Sequence, residues 1–337
     1  MAGIGLNREN VASVALLNGL PTMLNHYEKA LTDTVCTGGD IDLVSLDVRG
    51  IENTEGARAR VQSGLSFLAD ARREVQASGA DVVLNVWPCF GYLDAALWRV
   101  AGLGRPVVSI LHDVTPLRAQ FGYWPKAIGP LRLGSEGRHR WLVHTSAAGE
   151  VATTLGLGRP LELPHPVLPS QVQRSEPSMD VLVFGQYKPA RDLELLAEIG
   201  PELRASGLVP RIVGRGWPQI DGWEIEDRFV AEDEVQPLLA DAHAVLVPYT
   251  VYYQSGVALR ALESGTPVVG LPTTFLTYYF GEDWTGLVDD PSPQGWIRAI
   301  ERARVVPTEN VVRLAEEAKR NVAVLWNDEL SSLKTLR

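Results

Sequence analysis

The stretch YYQSGVALRALESGTPVVG, residues 252–270, contains a polar loop, a short helical pattern, a turn and a strand pattern. Gln254, Ser255 and Gly256 stand at the start of the helix, and Gly265 stands at its end, where helix caps are expected. The β-branched run that follows is typical of a buried strand. A helix that connects two apolar strands in this way is the repeating unit of a parallel α/β sheet.

The same alternation of strands and helices runs along the chain, with one interruption. Strand patterns at residues 11–20, 40–48, 80–88, 105–116 and 141–146 precede it, with helical patterns between them. The interruption, LELPHPVLPSQVQRSEPSMD, holds four prolines and no periodicity, as domain linkers do. The alternation then restarts at MDVLVFGQY. The sequence therefore predicts an α/β protein with two Rossmann-like, doubly wound parallel-sheet domains facing a cleft.

The linker sets the expected domain boundaries. We place the first domain at residues 1–168 and the second at residues 169–310. Residues 311–337 form a helical pattern that is a candidate to pack back across the boundary. A chain of 337 residues is too long for one ordinary core, which supports two domains.

Composition and charge narrow the function classes. A net charge of −10 argues against bulk nucleic-acid binding and strong attraction to anionic lipid, although it leaves peripheral membrane association open. Cys36 and Cys89 lack metal-ligand or disulfide spacing, which fits a reducing compartment. The N-terminus lacks a signal-peptide pattern, and no apolar run is long enough for a membrane span. We expect a cytoplasmic protein, and the oligomeric state is unknown from sequence.

The helix that starts at the QSGV letters is a candidate anion site. Its first turn presents backbone N–H groups without internal partners, and the helix dipole adds positive potential there. Gly256 permits close approach of a ligand to the backbone, and Val257 lies in the same turn. The alternative is an ordinary loop capped by Ser255.

A second segment, VLVFGQYKPARDLELL, strengthens the ligand interpretation. Gly185 allows a tight turn after a strand, and Lys188 and Arg191 follow just before a helix. In isolation such cations usually lie on a solvated surface. Here they end a strand of the same sheet as the QSGV loop, so two cations and a helix start meet at one sheet edge. That combination suits a diphosphate whose leaving group gains charge.

These segments resemble the motifs of a known family. FGQYKPARDLELL is similar to the FGxhRPYKG signature of bacterial family 4 retaining glycosyltransferases of the GT-B fold, and VPYTVYYQSGVALRALESGTPVVG is similar to their donor loop in a QSGV variant. Other segments resemble those of the family and occur in the same order along the chain: SILHDVTP, WLVHTS with LPHPV, RFVAEDEVQPLLADAHAVLVPY and TGLVDDPSPQGWIRAIERA. The likeness covers most of residues 80–305.

The resemblance implies a reaction and its components. A sugar would pass, with retention, from a nucleotide-diphosphate sugar on the second domain to a lipid-linked, polysaccharide or small-molecule acceptor on the first. Neither a metal nor a cofactor is implied. Lys188 and Arg191 fall on the family's diphosphate-binding positions, with their types swapped, and His112 falls on a histidine near the transferred sugar.

Further site residues follow from the same resemblance and from residue type. The donor loop carries over to Gln254, Ser255, Gly256 and Val257, and Gly19 belongs to a reduced glycine loop after the first strand. Arg215 would flank the base, and the Phe229–Val230 backbone would pair with its edge. Tyr123 and Trp124 are candidates to stack on an acceptor sugar. We interpret His139 and His144 as structural and His165 as a hinge residue.

The sequence departs from the family at its paired glutamates. Aligned on Gly265, those positions hold Tyr252 and Arg260, and we do not expect Glu263, almost one turn later, to substitute. We interpret TTFLTYYFGED, after TPVVGL, as a loop, and it lacks the family's common GG…E pattern. Two other functions therefore stay open. One is a non-catalytic nucleotide-sugar-binding protein or partner subunit. The other is a different GT-B enzyme, such as a sugar-nucleotide epimerase, which would need a carboxylate base that no segment clearly supplies.

Overall fold

The computed structural model describes residues 12–37, 41–51, 56–101, 104–116, 120–124, 139–169 and 179–334. The middle of the proline-rich linker, residues 170–178, lies outside the described residues. The chain divides into two compact units. Unit 1 comprises Met1–Pro166 and Arg320–Arg337, and unit 2 comprises Val167–Lys319.

Unit 1 is built on a parallel sheet of six strands in the order β2-β1-β3-β4-β5-β6. Its elements in chain order are β1 (Ala12–Leu17), α1 (Asn25–Thr37), β2 (Ile41–Ser45), α2 (Ala57–Ser78), β3 (Val82–Asn85), α3 (Asp94–Ala101), β4 (Val107–Ile110), β5 (His139–Val143), α4 (Ser146–Leu155) and β6 (Leu161–Glu162).

Unit 2 is built on a parallel sheet of five strands in the order β11-β10-β7-β8-β9. Its elements are β7 (Met179–Phe184), α5 (Leu193–Ala205), β8 (Pro210–Val213), β9 (Glu224–Glu226), α6 (Glu232–Ala240), β10 (Ala242–Leu246), α7 (Gly256–Glu263), β11 (Val268–Val269), α8 (Thr274–Phe280), α9 (Pro293–Arg304) and the start of α10 (Thr308–Leu333).

The burial pattern explains why these segments form parallel sheets. Every residue of β3 and of β4 is buried, as expected for strands covered by helices on both faces. In unit 2, α9 buries Trp296, Ala299, Ile300 and Ala303, which recur at helical spacing and join the core under the sheet. The predicted α/β class with two parallel sheets is confirmed. No helix in the described part of the chain has the length and apolarity needed to cross a membrane.

The strand order fixes where ligands belong. In unit 2 the chain builds β8 and β9 on one side of β7 and then returns to place β10 and β11 on the other side. The order therefore reverses between β7 and β10, and a crevice forms at the carboxyl ends of strands at such a switch point. The loops that leave these strands are residues 185–192 and 247–255.

One loop expectation is wrong. We interpreted TTFLTYYFGED, after the last strand, as a loop, but the structure has helix α8 there. The Thr273 side chain caps this helix by accepting a hydrogen bond from the Leu276 N–H, and Phe275, Leu276 and Phe280 are buried. The cap and the burial of these side chains stabilise a helix too short to show clear periodicity in the sequence.

The second half of α10 belongs to the core of unit 1. Trp326 is fully buried, and its indole N–H donates a hydrogen bond of 2.8 Å to the Pro164 carbonyl. Val322, Leu330 and Leu333 on the same helix are also fully buried. Residues 320–334 are therefore part of the folded structure of unit 1.

We expect Trp326→Ala to destabilise unit 1 by about 3–5 kcal/mol, because it removes a large buried side chain and leaves the Pro164 carbonyl without its donor. Val324→Ala is a matched control, since Val324 lies two residues away on the same helix but is 59% exposed. Urea unfolding monitored by circular dichroism measures both. Equal midpoints for the two variants would contradict the packing of α10 described above.

Candidate functional site

Backbone hydrogen bonds join the two loops at the switch point of unit 2. The Asp192 N–H donates to the Pro248 carbonyl at 2.8 Å, and the Thr250 N–H donates to the Ala190 carbonyl at 2.9 Å. Arg191 forms an isolated antiparallel bridge with Tyr249. The loop after β7, which carries the predicted cations, is thereby fixed against the loop that leads to α7.

The start of α7 presents free backbone donors. Ser255 is its N-cap: the side-chain oxygen accepts a hydrogen bond from the Ala258 N–H at 3.2 Å, and the Ser255 carbonyl accepts one from Leu259. Within the described residues, the N–H groups of Gly256 and Val257 have no hydrogen-bond partner. Two free amides at a positive helix end can bind an anion.

Packing does not require a glycine at position 256. A Cβ added there would have no heavy atom within 4 Å, and the backbone does not adopt a positive φ. The missing side chain leaves the start of α7 open, as close approach of a ligand to the backbone requires.

Gly185, by contrast, is required by the backbone, and it borders a small open space. Its φ is 101°, a value that other residues rarely adopt. A Cβ at this position would lie 3.4 Å from the Arg191 Nη2 atom and 3.8 Å from the Val257 Cγ2 atom. A ligand atom in that space would contact both the cation and the first turn of α7. We call Gly185, Arg191, Gly256 and Val257 the cradle.

The two predicted cations lie in opposite environments. Lys188 is exposed, whereas Arg191 is only 3% exposed. The Arg191 Nη2 atom donates to the Phe184 carbonyl at 2.7 Å, while Nε and Nη1 are buried without a hydrogen-bond partner. Burial lowers the pKa of this guanidinium. Among the described residues no carboxylate pairs with Arg191, so its charge is not neutralised.

The predicted base-binding residues follow the neighbouring strands. The Arg215 guanidinium carbon lies 5.1 Å above the ring of Phe229, which is 68% exposed. Val230 is buried beside it in the loop between β9 and α6. The loops after β8 and β9 therefore place an exposed aromatic ring and a cation at the same edge of the sheet as the cradle.

Tyr252 and Arg260, which the resemblance aligned with paired glutamates, each have a side-chain partner. Tyr252 accepts a hydrogen bond from the Thr273 hydroxyl at 3.2 Å, and burial raises the pKa of Tyr252 to about 12. Arg260 forms two hydrogen bonds, of 2.9 and 2.8 Å, with the Glu232 carboxylate. Glu263 is buried and accepts a hydrogen bond from the Leu168 N–H at 2.8 Å. Glu263 is thus engaged away from the start of α7.

His112, the candidate in unit 1, ends strand β4 in an aromatic environment. Its ring stacks on Trp87 at 5.8 Å and meets Tyr27 edge-on at 4.5 Å. Because a carbonyl only accepts, the contact of 3.1 Å to the Val86 oxygen makes His112 Nε2 a donor. Burial lowers the pKa of His112 to about 4, so the ring is neutral near pH 7. Gly19 also lies at this sheet edge, after β1.

The structure groups His112 with two histidines that we interpreted separately. His144 donates from Nδ1 to the Leu163 carbonyl at 2.8 Å, so its Nε2 accepts from the Tyr27 hydroxyl at 2.9 Å. His165 lies 5.0 Å from His144, measured between ring centroids. All three follow β4, β5 or β6 at the carboxyl ends, a positional signal that sequence reasoning overlooked.

The predicted acceptor residues differ in exposure. Tyr123 is half-buried with its ring 5.0 Å from Tyr92. Trp124 is 43% exposed and packs edge-on against Phe121, which is 45% exposed. Phe121 was not among the predicted residues, although it precedes Tyr123 in the same glycine-containing loop. Within the described residues no group of His, Cys, Asp or Glu side chains forms a metal-binding cluster.

Several solved structures share this architecture at low sequence identity. Sucrose-phosphate synthase from Thermosynechococcus elongatus has a TM-score of 0.60 and 14% identity, over 96% of this chain and 97% of that chain. Anabaena HepE, solved with UDP-glucose, has a TM-score of 0.58 and 12% identity, over 95% and 98% of the chains. S. aureus TarM, solved with UDP, has a TM-score of 0.56 and 12% identity, over 80% of this chain and only 58% of that one.

These likenesses and the two parallel sheets define the fold class as GT-B, the fold of glycosyltransferase neighbours such as TarM and sucrose-phosphate synthase. No protein-family profile matches the chain, and no curated protein matches it. The likeness therefore identifies the fold.

The buried histidines predict a loss of stability in mild acid. Burial lowers the folded-state pKa of His112 to about 4 and those of His139 and His165 to about 3, and it lowers the pKa of His144 well below the ordinary 6.5. The unfolded chain then binds more protons below pH 6.5, so stability is complete above that pH and falls as the pH drops. Each histidine contributes at most about 1.4 kcal/mol per pH unit. Asp94, whose pKa burial raises to about 7, acts in the opposite direction but is a single group.

Urea midpoints for the whole protein at pH 7.5, 6.5 and 5.5 test this expectation. His139→Gln is the informative variant, because His139 contacts Ser109 and lies outside the candidate site. Its midpoint is expected to fall less steeply with pH than that of the unsubstituted protein. A midpoint that does not change between pH 7.5 and 5.5 would contradict neutral buried histidines.

Proposed function

We propose that the protein is a glycosyltransferase that moves a sugar, with retention, from a nucleotide-diphosphate sugar to a lipid-linked, polysaccharide or small-molecule acceptor. The observation that carries the proposal is the cradle at the switch point of unit 2. It combines two free amides at the start of α7 with the unneutralised guanidinium of Arg191. Gly185 lies between them and has no side chain to fill the space. Each of these features favours an anion that approaches the backbone closely.

A diphosphate leaving group fits this chemistry better than a simple carboxylate ligand. As the bond to the sugar breaks, negative charge grows on the diphosphate, and fixed dipoles and cations stabilise that charge without reorganising. Arg191 and the α7 amides are fixed in place, whereas Lys188 is exposed and its long side chain is free to follow the second phosphate. In this proposal Lys188 and Arg191 are the catalytic cations.

The other proposed donor contacts in unit 2 extend from the cradle along its sheet edge. We propose that Phe229 and Arg215 lie against the base, and that the Val230 backbone binds its edge. Gln254 is proposed to contact the donor sugar and phosphates, and for Gly19, which belongs to unit 1, a donor contact stays a prediction from the resemblance. HepE binds UDP-glucose and TarM binds UDP, which makes UDP the first nucleotide to test.

For the acceptor side we propose Tyr123 and Trp124 as stacking residues and His112 as the remaining catalytic residue. Since His112 is neutral near pH 7, it would form hydrogen bonds to sugar hydroxyls without supplying charge. We propose that the reaction needs neither metal nor cofactor. Cys36 and Cys89 are both unpaired, in agreement with the proposed cytoplasmic location.

A donor screen tests the proposed function. We expect one of UDP, GDP, ADP and TDP to raise the melting midpoint, because a ligand that binds only the folded state stabilises it. The corresponding nucleotide sugars should then be hydrolysed or transferred, and EDTA should not slow the reaction. Binding without turnover across a donor panel would favour the non-catalytic alternative. The absence of any nucleotide binding would refute the proposal.

Gly256→Val tests whether α7 holds the donor. The added side chain meets open space in the protein, so we expect the variant to fold with an unchanged melting midpoint while nucleotide affinity falls at least tenfold. Ser255→Ala should lose about 1 kcal/mol of stability with a smaller effect on affinity. Ser292→Ala, which removes the equivalent cap of α9, is its matched control and should leave affinity unchanged. Normal affinity in folded Gly256→Val protein would show that the donor binds elsewhere.

A further inference from the structure

The Arg191 guanidinium lies against two aromatic rings. Its central carbon is 4.2 Å from the centroid of the Tyr249 ring and 5.4 Å from that of the Trp217 ring. Both distances are within the range at which a ring face attracts a cation. No sequence pattern indicates this arrangement, because the three residues come from the loops after β7, β8 and β10.

A buried cation normally requires a compensating partner. Removal of a guanidinium from water is costly, and proteins usually offset the cost with a carboxylate. Arg260 in the same unit shows that solution, since Glu232 binds it through two hydrogen bonds and cancels its charge. Arg191 has no such partner among the described residues, although it is the more deeply buried of the two.

Aromatic faces stabilise a cation without cancelling its charge. The ring quadrupole attracts the guanidinium, but the ring carries no net charge that would compete with an incoming anion. A carboxylate in the same place would repel a phosphate. The contrast between Arg191 and Arg260 therefore has a functional meaning at a site that must hold a diphosphate.

The Trp217 ring is itself fixed to the cradle. Its indole N–H donates a hydrogen bond of 2.8 Å to the Gly185 carbonyl, and its ring packs against Tyr187 at 5.5 Å. Tyr249 is held by its backbone, whose N–H donates to the Val247 carbonyl at 2.9 Å. Both rings are thus anchored to the two loops that form the cradle.

We propose that Tyr249 and Trp217 are positioning residues, whose ring faces hold the Arg191 guanidinium beside Gly185 without a counter-charge and so keep its positive charge available to the donor diphosphate. This inference rests on the proposed function and adds two residues to it. The residues act through Arg191, and neither is required to touch the donor.

The test compares a nucleoside diphosphate with its nucleoside, because their affinity ratio isolates the diphosphate contribution. UDP and uridine are titrated by calorimetry into the full chain. If the donor screen selects a different nucleotide, that nucleoside diphosphate and its nucleoside take their place. Tyr249→Leu should lower the ratio roughly tenfold while uridine affinity stays constant. Tyr249→Phe, which keeps the ring face, should stay within twofold of the unsubstituted protein. Tyr278→Leu makes the same chemical change at a ring that contacts Tyr279 and, in the described part of the chain, no cation. It should leave the ratio unchanged.

The outcomes distinguish a wrong positioning role for Tyr249 from a wrong donor site. If the unsubstituted protein binds UDP more tightly than uridine but folded Tyr249→Leu keeps the same ratio, the positioning role is wrong and the proposed donor site stands. If no diphosphate binds more tightly than its nucleoside, the donor site itself is wrong. Melting curves verify folding, and Tyr249→Met, which fills the space with a flexible side chain, replaces the leucine variant if that one unfolds. Equal losses for UDP and uridine would indicate general damage and would also overturn the positioning role.

Discussion

The parallel pairing of β7 with β10 is the constraint on which the candidate site depends. It places the loop of Gly185 and Arg191 beside the loop that leads into α7, although more than fifty residues separate them in sequence. The hydrogen bonds between Asp192 and Pro248 and between Thr250 and Ala190 then fix the two loops together. The open start of α7 and the buried guanidinium come close only because the strand order reverses between these strands.

Arg191 differs from the other arginines of unit 2 in how its charge is compensated. Most arginines in ion pairs lie near carboxylates on the surface, where such pairs contribute little to stability. Arg191 is buried, and ring faces and one backbone carbonyl surround it instead. For Arg191, the fold bears the cost of an unneutralised buried charge at the carboxyl edge of the sheet. A cost of that kind persists where function requires it.

The sequence predicted the features that depend on topology and missed those that depend on side-chain packing. The proximity of Lys188 and Arg191 to the QSGV loop required only a parallel sheet with both loops at its carboxyl edge. Three contacts join residues that are distant in sequence, and no periodicity indicates them. They are the rings around Arg191, the ion pair of Arg260 with Glu232, and the hydrogen bond from the Leu168 N–H to Glu263. Helix α8 was missed for a related reason, since its Thr273 cap and the burial of Phe275 matter more than its short pattern.

Tyr252 and Arg260, at the positions that the resemblance aligns with paired glutamates, determine how much negative charge faces the start of α7. Tyr252 supplies a neutral phenol, since its pKa is raised to about 12, and Arg260 is neutralised by Glu232. Neither position therefore places a free carboxylate at the start of α7. Neither position therefore opposes the fixed positive potential of Arg191 and the α7 amides with negative charge. For the proposed donor site, this charge distribution favours contacts to the phosphates over contacts to sugar hydroxyls.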